Sequence, residues 1–60
     1  GEYKLQFHFT DDDDVPYANT KYIAYFADSS QINGVTDAEG FTTTFTTDKE
    51  EEIKIRLICN

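Results

Sequence analysis

Sixty residues with twelve acidic side chains against five basic ones carry a formal charge of −7. That balance repels phosphate backbones and anionic lipid surfaces, so neither nucleic acid nor membrane is an expected partner. A single domain over residues 1–60 is the most this length allows, and such a chain buries only about 60% of its unfolded surface.

Gly1 opens the chain and methionine is absent from it. Both features lead us to expect a domain of a larger protein, of the kind that serves its parent as spacer, adaptor or recognition module. Cys59 is the lone cysteine, so no internal disulfide and no oxidising compartment are implied. No apolar run approaches membrane-spanning length.

The first predicted strand lies in EYKLQFHFT, residues 2–10. Tyr3, Leu5, Phe7 and Phe9 alternate with Lys4, Gln6, His8 and Thr10, the period of a half-buried strand. Asp11 to Asp14 and Val15-Pro16 follow as a loop, because proline pushes its predecessor into extended geometry. Residues 20–27 read as a second strand with apolar side chains on both faces: Tyr22, Ala24 and Phe26 on one, Ile23, Tyr25 and Ala27 on the other.

Asp28-Ser29-Ser30 supplies turn formers, and a third strand runs from about residue 31 to 36. Two turn signals compete here, Asn33-Gly34 and Asp37-Ala38-Glu39-Gly40. A reversal at Asn33 leaves the apolar second strand beside a stub. We therefore place the turn at 37–40, with Gly40 in the left-handed conformation and Gly34 inside the strand at a bulge or close backbone approach.

FTTTFTT (41–47) is the fourth strand. It is expected to show Phe41, Thr43 and Phe45 on one face and Thr42, Thr44 and Thr46 on the other, the threonine row suiting an edge open to strand addition. After DKEE, residues 52–59 send Ile53, Ile55, Leu57 and Cys59 inward and Lys54 and Arg56 outward. Helical periodicity is absent from all five segments. The expected fold is a small antiparallel β-sandwich of about five strands.

Alternating directions put loops 11–19 and 37–40 at one pole and turns 28–30 and 47–51 at the other. Six carboxylates (Asp11, Asp12, Asp13, Asp14, Asp37 and Glu39) then gather at the first pole.

FTDDDDVPYANTKY followed by GVTDAEGFT resembles a pattern in transthyretin-like and immunoglobulin-like β-sandwich modules of bacterial surface and secretion proteins. The likeness covers roughly residues 7–46 and is closest to accessory domains on type VI secretion spike chains, the VgrG and PAAR-containing proteins and their effectors. Those modules carry a glycine between strands two and three, where this chain has Asp28-Ser29-Ser30. The resemblance implies a non-catalytic module that connects or docks an effector, and it supplies no catalytic residues.

Calcium is the sharpest chemical alternative, as in a structural spacer module of a secreted or surface protein. The EF-hand pattern fails, however, since Val15 and Pro16 stand where a ligand and a glycine belong. His8 and Ser29 or Ser30 fall at opposite ends of the fold, and one His with one Cys does not make a zinc site. We expect no enzyme activity, no catalytic residues, no metal and no cofactor; an enzyme fragment whose active site lies elsewhere in the parent is the remaining class.

The expected partner is a protein or a neighbouring domain of the same chain. Two features mark its docking surface. A sandwich hides only one face of strand two, which leaves either Ile23 and Tyr25 or Tyr22 and Phe26 to be covered by the Val15–Tyr17 loop or by another protein. Lys4, Lys54 and Arg56 form a basic stripe if the first and last strands pair. The candidate partner-binding residues are thus Ile23, Tyr25, Lys4, Lys54 and Arg56.

Overall fold

The fold is all-β, with five strands in two antiparallel sheets. In a computed structural model describing residues 2–58, they are β1 (Tyr3–Leu5), β2 (Lys21–Tyr25), β3 (Gln31–Val35), β4 (Phe45–Thr47) and β5 (Lys54–Ile58). β1 pairs with β4, and β2 lies between β3 and β5. The expectation for Cys59 falls outside the described residues.

β2 is central: both its edges are hydrogen-bonded, and its inner face, Tyr22 and Ala24, is buried in the core. Ala24 lies opposite Ile55 and Tyr22 opposite Leu57, so a small residue and a ring alternate against two aliphatic side chains. This pairing overturns the expected partnership of first and last strands. β5 pairs with β2, while β1 puts Leu5 opposite Phe45 of β4.

The core forms where the sheets meet. Tyr22, Ala24, Phe45 and Ile53 are buried, with Leu5, Phe7, Phe26, Ile55 and Leu57 packed around them. Phe45 is the hub: its ring centroid lies 6.2 Å from Phe7, 6.4 Å from Tyr22 and 5.7 Å from Phe26. The last two contacts are edge-on, the favoured arrangement for aromatic quadrupoles. Strand two therefore turns Tyr22, Ala24 and Phe26 inward, and Ile23 and Tyr25 outward.

Three reversals share one geometry, at Asp11–Val15, Phe26–Ser30 and Asp37–Phe41. In each, the first N–H donates to the fifth carbonyl and the fourth N–H to the first carbonyl, at 2.9–3.1 Å. The fourth residue is left-handed in each: Asp14 (φ 63°), Ser29 (φ 74°) and Gly40 (φ 84°). These are three-residue hairpin loops, a type I turn followed by a left-handed residue. Gly40 closes its loop as expected, and Ser29 adopts the same conformation without being glycine.

Asn33 and Gly34 lie inside β3, in unbroken register with Ile23 and Tyr22. Gly34 marks a close approach and no bulge. A Cβ there would overlap Tyr22 Oη and lie 2.5 Å from its Cζ, so the ring occupies the space a side chain would need.

The bulge lies in the fourth segment instead. Leu5 faces Phe45 and His8 faces Phe41, so residues 42–44 stand across from only Gln6 and Phe7. Thr42 creates it. Its Oγ1 accepts from the Phe7 N–H (3.1 Å) and donates to the Thr43 carbonyl (2.8 Å), while Gln6 Nε2 donates to the Thr42 carbonyl. An extra residue reverses the faces: Thr42 is buried, and Phe41 stacks on His8 at 4.1 Å. The expected grouping of Phe41 with Thr43 and Phe45, and the Thr42–Thr44–Thr46 row, do not form.

Candidate functional site

The acidic pole assembles as expected, because the Asn19 N–H donates to the Asp37 carbonyl and the Tyr17 N–H to the Phe9 carbonyl. Its polar groups hold the chain together. Asp11 Oδ1 accepts the N–H groups of Asp13 and Val15, and Asp37 Oδ1 those of Glu39 and Phe41, all at 2.8–3.0 Å. Thr36, buried, accepts from the Thr20 N–H and donates to the Tyr17 carbonyl. His8 is exposed and donates through Nε2 to the Glu39 carbonyl (2.8 Å). Among the described residues, no three His, Cys, Asp or Glu side chains converge as metal ligands. The GVTDAEG segment is thus a structural joint.

Asp37 makes that joint pH-sensitive. N–H groups of Phe41 and then Glu39 hold its carboxyl below the usual carboxylate range. A depressed pKa contributes stability above the unfolded value, about 3.9, and loses it as pH falls through the lower folded value. Asp28 shifts the same way, through the Ser30 hydroxyl and then its N–H. We expect the parent to melt above Asp37→Asn at pH 5–7 and the gap to close as pH falls below about 4. A gap that persists to pH 2 in thermal melts would refute the ionic cap.

The residues expected to meet a partner fall mainly on the outer face of β3-β2-β5. Antiparallel partners share a face, and here Tyr25 lies opposite Lys54 and Ile23 opposite Arg56. On the other side of β2, Lys21 faces Val35, Ile23 faces Asn33 and Tyr25 faces Gln31. Lys21 also faces Ile58. Val35 is 56% and Ile58 39% exposed, while Ile23 and Tyr25 are half-buried. Between Ile23, Val35 and Ile58 runs a concavity of about 380 Å³.

Four of the five predicted residues, Ile23, Tyr25, Lys54 and Arg56, are therefore neighbours on one surface. Lys4 is not among them; it lies opposite Thr46 on the smaller sheet. Lys21 takes its place, and the period-two pattern of β2 already put Lys21 beside Ile23 and Tyr25. The Val15–Tyr17 loop does not cover this face. It folds back on the first segment, with Thr10 bridged to Pro16 and Pro16 against Gly40.

Lys21, Lys54 and Arg56 place three positive charges on a body whose sum is −7. Among the described residues their one ion pair is Lys54 Nζ to Glu52 Oε1 at 3.9 Å, with both side chains more than three-quarters exposed. Such a pair contributes about 0–1 kcal/mol and leaves the ammonium available to a partner.

Fold and surface define a small all-β domain with an apolar, basic sheet face. Comparison with protein-family models, curated proteins and solved structures finds no match.

Proposed function

We propose that this domain is a non-catalytic module that works through protein contacts, docking a partner or a neighbouring domain on the outer face of β3-β2-β5. One observation carries the reading: two cross-strand pairs, Tyr25 with Lys54 and Ile23 with Arg56, put apolar anchors and positive charges on one uncovered surface. Aromatic and Arg side chains dominate the energetics of interface cores. Positive charge around them steers an acidic partner into register.

Resemblance of residues 7–46 to accessory modules of bacterial secretion and surface proteins supports the same reading. In that setting the domain connects or docks an effector within a larger assembly such as a type VI secretion spike.

The test is site-specific photocrosslinking in cells that produce the protein. A benzophenone side chain at position 25 is expected to capture a protein or flanking domain; one at position 44, exposed just before β4, is not. Once the captured partner is purified, Ile23→Ser should weaken its binding at least tenfold and Lys4→Ala less than twofold. Equal capture at both positions, or equal losses from both variants, overturns the proposal.

A further inference from the structure

We propose that the outer edge of β3 is a strand-addition site for an extended, basic segment of another protein. Exposed sheet edges are guarded in most folds by charge, proline or a bulge. Lys54 and Arg56 guard β5, and Lys4 with the 42–44 bulge guards the smaller sheet. β3, Gln31-Ile32-Asn33-Gly34-Val35, carries none of these devices. It pairs with β2 in unbroken register over all five residues. Among the described residues, no backbone or side-chain group hydrogen-bonds its other edge.

Its two large apolar side chains call for cover on opposite faces. Val35, outward, is 56% exposed, and Ile32, inward, is 47% exposed. Ile32 is uncovered because two strands lie over three. One added strand reaches both, since successive side chains of a strand alternate between faces.

Charge selects the occupant. Ile32 opens into a concavity of about 480 Å³ shared with Phe26, Thr46 and Thr47. Asp28, Asp48 and Glu51 line it against one cation, Lys49. A second copy of the chain would bring another −7 to that edge, so self-pairing is electrostatically opposed. The matching segment is extended, apolar where it meets Ile32, and carries Lys or Arg toward the Gln31 end. Main-chain hydrogen bonds supply its affinity and the alternate side chains its specificity.

The probe is a nine-residue peptide of five central valines with two lysines at each end, titrated into the isotope-labelled chain. Amide shifts are expected at residues 31–35 and 46–49, with at least tenfold slower hydrogen exchange at the β3 edge. Ile32→Lys, an inward charge at a half-exposed site, and Val35→Lys, at a more exposed site least able to unfold the chain, should each weaken binding at least tenfold. Tyr25→Ala, which tests the docking face independently, should change it less than twofold. Four results overturn the proposal: no binding; equal binding by a valine–glutamate peptide or by one with a central proline; shifts confined to Ile23, Tyr25 and Arg56; or a concentration-dependent dimer abolished by Ile32→Lys, which assigns the edge to a second copy.

Discussion

Phe45→Ala is expected to leave the chain largely unfolded at 25 °C. Phe45 is buried and joins β4 to both β2 and the first segment through Tyr22, Phe26 and Phe7. Truncating a buried Phe costs about 3–5 kcal/mol, the sum of lost transfer energy and the cavity left behind. Against that stands a total stability of roughly 3–9 kcal/mol for sixty residues, at the low end for so small a core. The hub cannot be repaired locally, because its aromatic neighbours come from two segments distant in the chain. Amide dispersion in NMR spectra and a urea midpoint check the outcome. A cooperative midpoint within about 1 kcal/mol of the parent would show that the two sheets are held by something other than this aromatic contact.

Gly40→Ala is the second severe change. Residue 40 has φ 84°, and an alanine in the left-handed region costs about 1–2 kcal/mol. The new Cβ would also lie 2.5 Å from the Phe9 carbonyl oxygen. That oxygen accepts the Tyr17 N–H, and the Phe9 N–H donates to the Gly40 carbonyl, so moving it strains both loops of the acidic pole. We expect a loss of at least about 2 kcal/mol, combining the conformational cost with overpacking. Ser29 supplies the internal comparison. It holds the same turn position at φ 74°, and Ser29→Gly relieves that conformation for a gain of under about 1 kcal/mol, part of it offset by the freer unfolded chain. Urea midpoints moving in opposite directions would support one turn geometry at both sites. A neutral Gly40→Ala would refute it.

Much of this architecture was legible in the residues. Alternation from Tyr3 to Phe9 marks the inward side of the first segment, since a strand offers only two faces. Asp37-Ala38-Glu39-Gly40 marks the reversal after β3, since only that placement leaves strands of workable length. The outer-face residues of β2 were legible as a pair, Ile23 with Tyr25, although not as the exposed pair. Which face is hidden depends on Phe45, twenty residues or more away.

Local pattern by itself determined the strand number, the turns at 28–30 and 37–40, and, outside the fourth segment, the side of its strand that a residue occupies. Those properties follow from side chains one or two positions apart. Tertiary structure alone decided the partners: β1 with β4, β5 with β2, Lys21 rather than Lys4 on the face of Ile23 and Tyr25, and the inversion of Phe41 and Thr42. Strand pairing rests on side chains meeting across long stretches of chain, and the Thr42 bulge is held where its hydroxyl and N–H meet the Phe7 backbone. No period within a single segment encodes either contact.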